Sequence, residues 1–284
     1  MLIFDAHLHV GAWGTWEMRG NRITPFPYEH GCYEEFKSNY LERYNPEFAV
    51  IVPHYLPDKV LSFQMNKTVL DFIKLNDRLL GGLWVNPSPK LIPLSNEVLS
   101  LYPQKGLKVI KMSPDAWDSE LTPNPQTWSS ETKAFFDRCI DLAKKENLVI
   151  HFHTGMRRSD PTHFEGFMNE YCGSEVAFQF VHMGNVPGGH FVFIPLFIKW
   201  LEKKYNVFCD VSWSRGFAPR WLIHELQERD LGFDRILFAS DEPWGDFPSE
   251  VAKVQNLRID EVSIRKILYD NAYKLYVGEK NNKQ

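Results

Sequence analysis

Eight short, largely apolar segments recur along the chain, and stretches with helical periodicity separate them. This alternation constrains the fold more than any other feature, because strands that alternate with helices form a parallel sheet with helical crossovers. Short apolar runs of this kind are typical of parallel strands that are buried on both faces. The predicted strands are residues 2–6, 48–53, 79–85, 107–112, 148–152, 176–181, 207–211 and 236–239.

The stretches between these strands carry apolar residues at three- and four-residue spacing, which predicts amphipathic helices. The clearest one covers residues 132–146, and Ser130 is expected to belong to its N-cap region. The inner face of this helix is expected to consist of Phe135, Phe136, Cys139, Ile140 and Leu142. Further helices are predicted at residues 68–77, 191–204 and 222–229, and a final helix is expected to begin at Asp260 and end near residue 277.

Eight strands favour a closed barrel over an open sheet. An open, doubly wound sheet needs a glycine-rich turn after its first strand, whereas here the first strand leads into His7-Leu8-His9-Val10-Gly11. The length of 284 residues suits one barrel domain of about 250 residues with a few long loops. The sequence therefore predicts a single (β/α)8 TIM barrel over residues 1–277, with a long loop at about residues 11–31 and a disordered polar tail at 278–284.

The charge and cysteine pattern exclude several classes of protein. A net charge of -4 without a basic stripe argues against nucleic acid or an anionic membrane as the partner. We find no signal peptide at the first residues and no apolar run long enough to span a membrane. The four cysteines form no C-x-x-C pair, so they are expected to be reduced thiols in the cytoplasm: Cys32, Cys139, Cys172 and Cys209.

Histidine and aspartate side chains lie at the carboxyl ends of four predicted strands. Taken singly, each has an ordinary explanation, such as a hydrogen-bonded core histidine or an aspartate that caps a helix. Together they converge on the face of a barrel where active sites form. Residues two apart on a strand point to the same side, so an H-x-H pair is able to reach one divalent metal ion. The residues are His7 and His9, His151 and His153, His182, and Asp241.

The chain resembles the amidohydrolase superfamily, and within it the amidohydrolase-related branch that includes aminocarboxymuconate-semialdehyde decarboxylase, resorcylate decarboxylase and pyrone-dicarboxylate lactonase. The motifs extend over nearly the whole chain, and they point to the superfamily but not to one substrate. They are Asp5-Ala6-His7-Leu8-His9, Ile150-His151-Phe152-His153-Thr154-Gly155, Phe180-Val181-His182-Met183-Gly184, Ile236-Leu237-Phe238-Ala239-Ser240-Asp241-Glu242-Pro243-Trp244 and Ile267-Leu268-Tyr269-Asp270-Asn271-Ala272.

The resemblance implies a role for each of these residues. His7, His9, His153 and Asp241 correspond to the metal ligands, and Asp241 also accepts a proton from the attacking water. His182 corresponds to the histidine that polarises the substrate or shuttles protons. One divalent ion is expected, zinc first and manganese as the alternative.

Two residues leave the metal count and the support of the site open. Lys111 ends the fourth predicted strand, where binuclear relatives carry a carboxylated lysine that bridges two metals. A structural salt bridge or a substrate contact is the alternative role for Lys111. His151 is expected to hold a metal histidine by a hydrogen bond, to contact the substrate, or to belong to the core.

The clues to the substrate are few. Arg157 and Arg158 after the fifth strand suit a carboxylate-bearing substrate, and Trp13 suits a flat or apolar one. His54 is a further candidate for substrate contact. The alternative is that these side chains are solvated charges and packing residues of the loops. Asp210 and Trp213 near the seventh strand either line the pocket or are structural, and His190 is expected to be an ordinary surface or helix-terminal residue.

The leading function is a metal-dependent hydrolase that uses metal-activated water on an ester, lactone or amide bond of a small, carboxylate-bearing molecule. The alternative is a lyase, a metal-dependent non-oxidative decarboxylase of an aromatic or unsaturated acid. A metal-free aldolase with Lys111 as Schiff-base nucleophile and a non-catalytic barrel leave the histidines unexplained. A homodimer is expected only by analogy with other barrels.

Overall fold

The computed structural model describes residues 1–11, 16–18, 21–23, 31–54 and 59–278. Ten strands occur in these residues, and eight of them form one sheet. Their bounds are β1 Phe4–Val10, β2 Trp16–Met18, β3 Asn21–Ile23, β4 Phe48–Pro53, β5 Leu79–Val85, β6 Leu107–Met112, β7 Val149–His153, β8 Ala177–Val181, β9 Val207–Asp210 and β10 Ile236–Leu237.

The eight-stranded sheet follows the order β1-β4-β5-β6-β7-β8-β9-β10, and every neighbouring pair in it is parallel. Backbone hydrogen bonds also cross the seam between β1 and the segment at β10. The amide of Ala6 donates to the carbonyl of Phe238 at 3.0 Å, and the amide of Asp241 donates to that of His7 at 2.9 Å. The sheet therefore curls into a nearly closed cylinder, which confirms the predicted (β/α)8 barrel.

Eleven α-helices occur in the described residues, and most of them connect consecutive strands of the barrel. None of these helices combines the length and apolar character needed to cross a membrane. Their bounds are α1 Tyr33–Phe36, α2 Glu42–Tyr44, α3 Lys59–Leu75, α4 Ile92–Leu99, α5 Ser130–Glu146, α6 Phe164–Tyr171, α7 Pro187–Glu202, α8 Phe217–Glu228, α9 Phe247–Gln255, α10 Glu261–Arg265 and α11 Asn271–Tyr276.

Helix α5 shows how the sequence produces these elements. Ser129, one residue before the predicted cap region, accepts a hydrogen bond from the amide of Thr132 at 3.1 Å, so it is the N-cap. The helix ends where Asn147 adopts a left-handed conformation with φ of 52°. Phe135 and Phe136 are fully buried on the inner face, as predicted, and each contributes about 1.5–3 kcal/mol through burial. The predicted inner-face residue Leu142 is only half-buried.

The first strand differs most from its prediction. The apolar run stops at Ala6, but the backbone of β1 continues through His7 and His9 to Val10 and pairs with β4 as far as Pro53. The pairing shifts between Asp5 and Leu8. The prediction ended the strand at Ala6 because polar residues follow it. The apolar pattern does not reveal that strand pairing continues through these residues of the site.

The segment predicted as a long loop at residues 11–31 contains the antiparallel pair β2 and β3. Residues 279–284 of the predicted tail lie outside the described residues. The core has two parts: a large layer between the sheet and the helices, and a smaller cluster that fills the barrel. Ala272 and Tyr276 of α11 belong to the second cluster, together with Phe4 and Val149, so α11 closes the floor of the barrel below the site.

Candidate active site

Asp241 is the centre of a buried polar cluster at the carboxyl ends of the strands. Its Oδ1 lies 3.2 Å from Nε2 of His7 and 3.4 Å from Nε2 of His9, and its Oδ2 lies 3.9 Å from Nε2 of His182. All four residues are at least nine-tenths buried. Three elements far apart in sequence therefore bring imidazole nitrogens around one carboxylate.

The cluster has the chemistry of a metal site. Potential donor atoms of His7, His182 and Asp241 all lie within 4.8 Å of one another. Both ring nitrogens of His7 and Oδ1 of Asp241 are buried and make no hydrogen bond with any described residue. A buried polar atom without a partner costs about 1–3 kcal/mol, and a metal ion would satisfy several of these atoms at once. Imidazole nitrogens with a carboxylate oxygen are the usual donor set for a divalent ion, so the residues fit one.

The protonation of the cluster also suits a metal ion. Burial, followed by the charge of Lys111 and by neighbouring imidazoles, lowers the pKa of His7 well below its ordinary value. Burial first, then His153 and Lys111, lowers the pKa of His182 in the same way. These imidazoles are therefore neutral at pH 7, which is the form that ligates metals. Burial raises the pKa of Asp241, and the cation of Lys111 opposes that rise.

His9 is oriented by the neighbouring strand. Its Nδ1 donates to the carbonyl of Pro53 on β4 at 3.2 Å, since a carbonyl only accepts. The lone pair is therefore on Nε2, the atom that faces Asp241. A backbone partner of this kind fixes the tautomer of a metal-binding histidine.

His153 lies in the same cavity but outside the cluster around Asp241. It ends β7, and its Nε2 is 3.6 Å from Oδ2 of Asp115, a residue in the segment after β6. Its ring centroid is 5.0 Å from that of His182. Among the described residues, the group with metal-site geometry consists of His7, His182 and Asp241. It therefore contains His182, whereas the sequence predicted His153 as the ligand. Ligation by His153 stays a prediction.

His182 sits in a backbone turn of unusual conformation. Four consecutive residues, His182 to Asn185, have positive φ values, between 50° and 89°. Such conformations cost about 1–3 kcal/mol each in residues other than glycine and are found at functional sites. Gly184 and Gly189 approach so closely that a Cβ on Gly189 would lie 2.0 Å from the carbonyl oxygen of Gly184.

His190 supports this turn. It lies at the helix terminus, one of its two predicted positions, and the other prediction, a surface position, is wrong. The side chain is fully buried at the start of α7. Its Nδ1 donates to the carbonyl of Met183 at 2.7 Å, and its Nε2 accepts from the amide of Arg215 at 3.3 Å. The apolar helical pattern did not reveal that this imidazole joins the loops after β8 and β9.

Lys111 and His151 occupy adjacent strands beneath the cluster. Lys111 is buried, and its Nζ makes no hydrogen bond within the described part of the chain. Burial lowers the pKa of Lys111 to about 8, and the carboxylates of Asp241 and Asp210 oppose this shift. His151 bonds through Nε2 to the hydroxyl of Tyr276, and its ring lies edge-on to His7 at 6.0 Å between centroids. The hydrogen bond of His151 thus goes to α11 and not to a metal histidine.

The cluster opens into a cavity of about 230 Å³. Trp213 and Trp244 form an aromatic wall in which the two rings are perpendicular, at 88°, with centroids 6.4 Å apart. Nε1 of Trp244 donates to Nδ1 of His54 at 3.3 Å. Asp115, Asn185 and Trp244 were not identified as site residues from the sequence. Trp244 ends a family motif but was given no role there, and Asp115 and Asn185 lie in rim segments without a distinctive spacing. The lining residues are His9, His54, Asp115, His153, His182, Asn185, Trp213, Asp241 and Trp244.

The two arginines expected at the substrate do not line this cavity. Arg157 is exposed. The guanidinium of Arg158 hydrogen-bonds to the backbone carbonyls of Pro114 and Asp115, so it holds the segment after β6. Trp13 lies outside the described residues.

Solved structures with the same fold include both hydrolases and decarboxylases. A probable 2-pyrone-4,6-dicarboxylic acid hydrolase from Acinetobacter baumannii, with citric acid bound, has a TM-score of 0.66 and 16% identity over 97% of this chain and 99% of its own. A 2,6-dihydroxybenzoate decarboxylase from Rhizobium has a TM-score of 0.66 and 14% identity over 96% and 98% of the two chains. A dihydroxybenzoic acid decarboxylase from Polaromonas, with manganese and 2-nitroresorcinol, has a TM-score of 0.67 and 13% identity over 96% of each chain.

No curated protein matches the chain. The identities to the solved structures are low, so those structures show the fold and not the activity. The model of one family, described as amidohydrolase, matches residues 4–277, which include every residue of the cluster around Asp241. The chain therefore belongs to the amidohydrolase family, and it is an enzyme of that superfamily.

Proposed function

We propose that the protein is a metal-dependent hydrolase that cleaves an ester, lactone or amide bond of a small, carboxylate-bearing molecule with activated water. One observation carries this proposal: a buried carboxylate, Asp241, lies within 3.2–3.9 Å of three imidazole nitrogens at the base of an open cavity. This arrangement places metal-binding atoms and a proton acceptor at the same point.

His7, His9 and Asp241 would hold the ion, together with His153 or His182. A bound divalent ion supplies Lewis acidity, which makes water nucleophilic at neutral pH and polarises a substrate oxygen. Zinc suits the donor set, and manganese, found in two decarboxylases of the same fold, is the alternative. The described residues contain one group with metal-site geometry, so we propose one ion and an unmodified Lys111.

Asp241 and His182 would handle the protons. Asp241, whose Oδ1 lies beside the ring nitrogens of His7 and His9, would accept the proton of the attacking water as a carboxylate. The Nε2 of His182 lies 3.9 Å from Oδ2 of Asp241, close enough to pass that proton onward after a small movement. The neutral His182 is then the base that accepts the proton, and the leaving group is the final acceptor.

The cavity suits a flat substrate. Trp213 and Trp244 present aromatic surface, and His54 and Asn185 provide polar groups beside it. A planar ring or an extended conjugated acid would stack on such a wall. Within the described lining there is no arginine or lysine, so a carboxylate would be bound by the ion, by imidazole N–H groups or by Asn185.

The second candidate is a non-oxidative decarboxylase of an aromatic or unsaturated acid. The tryptophan wall favours it, because an aromatic acid presents its face to an indole. In that reaction a proton must reach the ring carbon as carbon dioxide leaves, and His182 or Asp241 would supply it. The two candidates use the same residues with opposite directions of proton transfer.

The test is a direct comparison of products. Purified protein, loaded with zinc or manganese, is incubated with a panel of carboxylate-bearing lactones and hydroxybenzoic acids, and acid release and carbon dioxide release are measured in parallel. Ring opening without carbon dioxide supports the hydrolase. Carbon dioxide release supports the alternative and overturns the first proposal. Asp241→Asn is the matched control, since it keeps the shape of the side chain and should abolish either reaction.

A further inference from the structure

A continuous chain of buried hydrogen bonds begins at His182 and runs behind the cavity. Nδ1 of His182 lies 2.8 Å from the hydroxyl of Ser212, and this hydroxyl donates to Oδ1 of Asp210 at 2.5 Å. The same Oδ1 accepts from the backbone amides of His182 and Ser212 at 3.3 Å and 3.2 Å. Asp210 is fully buried and does not line the cavity.

The other oxygen of Asp210 starts a second branch. Oδ2 accepts from Nε2 of Gln179 at 2.9 Å. Oε1 of Gln179 accepts from the hydroxyl of Tyr276 at 2.5 Å, and the oxygen of Tyr276 is bonded to Nε2 of His151. This branch passes through the barrel interior and ends below His7, where β7 and α11 meet.

Each bond in this chain has a determined direction, because a carboxylate only accepts hydrogen bonds. The hydroxyl proton of Ser212 goes to Asp210, so the oxygen of Ser212 accepts from a proton on Nδ1 of His182. The lone pair of His182 is then on Nε2, the atom that faces Asp241.

The second branch is determined in the same way. Gln179 must turn its NH2 group to Asp210, so its carbonyl oxygen accepts from Tyr276. Burial, followed by the charge of Asp210, raises the pKa of Tyr276, so its hydroxyl keeps the proton that it donates. The oxygen of Tyr276 accepts from a proton on Nε2 of His151, and the lone pair of His151 is on Nδ1.

We propose that Asp210 is a positioning residue that sets the tautomers of two histidines at once: His182 through Ser212, and His151 through Gln179 and Tyr276. It does not line the cavity, and it contacts the cluster around Asp241 only through the backbone amide of His182. The inference deepens the proposed function, since a lone pair on Nε2 of His182 is what metal binding or proton transfer requires. The tautomers themselves exist without metal or substrate, so they are measurable even if the proposed activity is wrong.

The tautomers are read by long-range proton–nitrogen NMR on the full chain labelled with ¹⁵N-histidine, without metal and after addition of zinc. Spectra of His182→Asn and His151→Gln assign the two rings by the signals that disappear. In the metal-free protein we expect protonated Nδ1 on His182 and protonated Nε2 on His151. The opposite tautomer on either ring would overturn the inference.

Asp210→Asn is the decisive variant, because it keeps the shape of the side chain and changes only what it accepts. The two backbone amides hold the amide oxygen of the new asparagine in the place of Oδ1, so His182 should keep its tautomer. The new NH2 group faces Gln179, which must turn its carbonyl oxygen towards it. Tyr276 then receives a hydrogen bond from Gln179 and donates to His151, so the proton of His151 should move to Nδ1. An unchanged His151 in this folded variant would contradict the proposal.

Two matched controls separate the branches. Ser212→Ala should leave His151 unchanged and shift the two ring nitrogens of His182 towards a mixture of tautomers, and Ser212→Thr should restore the original pattern. Tyr276→Phe should change His151 and leave His182 as it is. If either variant altered both rings, the coupling would be a general change of packing, and Asp210 would not be the residue that sets the tautomers.

Discussion

At the scale of single residues, the open question is whether His153 or His182 is a ligand of the metal ion. The family resemblance makes His153 the ligand, whereas the geometry around Asp241 includes His182. The two rings lie 5.0 Å apart, so an ion within reach of one is near the other. The choice between them decides whether His182 is free to carry protons.

Substitution of each histidine tests this choice. If His153 is a ligand and His182 a proton carrier, His153→Ala should lose the ion, and His182→Asn should keep about one ion per chain while losing most turnover. Metal content is measured by plasma mass spectrometry on both variants beside the unaltered protein. If His182→Asn lost the metal and His153→Ala retained it, His182 would be the ligand and His153 the proton carrier.

Lys111→Met tests the number of ions. A carboxylated lysine would bridge two ions, and its loss would remove at least one of them. The described residues contain one group with metal-site geometry, made of His7, His182 and Asp241, so we expect metal stoichiometry to stay at about one. The measurement is the ratio of metal to protein in the variant and the unaltered chain. A fall from two ions to one or none would show that the lysine is a ligand.

The shifted pKa values predict how many protons leave when zinc binds. At pH 5, three imidazoles with ordinary pKa values near 6.5 would be protonated and would release about three protons. Burial lowers the pKa values of His7 and His182, so these rings release fewer protons than ordinary imidazoles when zinc binds. We expect release of clearly fewer than three protons per ion. Calorimetry of zinc binding in buffers of different ionisation enthalpy measures this number, and a value near three would refute the assignment.

The turn after β8 is the most informative structural element. Its left-handed residues hold His182 against Ser212, and His190 and the close contact between Gly184 and Gly189 keep the turn in place. The strain of the turn is thus balanced by contacts from α7. The position of His182 depends on packing at the first turn of that helix.

Two neighbouring glycines of α7 offer a matched test of this dependence. A Cβ at Gly189 would lie 2.0 Å from a backbone oxygen, whereas a Cβ at Gly188 meets nothing within 4 Å. We expect Gly188→Ala to be neutral or to stabilise the protein by about 0.5–1 kcal/mol. Gly189→Ala should destabilise it by at least about 2 kcal/mol and weaken zinc binding, because the turn must move. Thermal unfolding and zinc titration check both variants, and equal behaviour of the two would exclude a role of this contact.

Across the whole molecule, the sequence predicted the architecture well and the site in part. Three of the eight barrel strands, β4, β5 and β6, have the predicted bounds, and β9 begins where it was predicted, because apolar runs report burial on both faces. The residues missed are Asp115, Asn185 and Trp244, which reach the cavity from loops. No local periodicity encodes how a loop folds over a barrel mouth. The network through Asp210 was missed for the same reason, since it joins β8, β9 and α11 by contacts between distant residues.

Metal binding should stabilise the entire barrel. An ion that binds only the folded chain adds about 2.7 kcal/mol to the free energy of unfolding at a concentration 100-fold above its dissociation constant, which corresponds to roughly 5 °C or more in Tm. Thermal unfolding with and without zinc measures this shift. Asp241→Asn should show little of it, and an equal shift in that variant would mean that zinc binds elsewhere.

The cluster around Asp241 lies at the seam where the barrel closes, so a bound ion would contribute to holding the barrel together. β1 carries His7 and His9, and Asp241 follows β10, so the cluster joins the two strands that close the cylinder. An ion held by both strands would join the first and last units of the barrel, whereas every other pair of neighbouring strands comes from consecutive units of the chain. Because the ion binds only the folded chain, opening this seam would lose the binding free energy of the ion. The ion would therefore make the first and last units unfold together, and a barrel that has lost its ion would open first between β1 and β10.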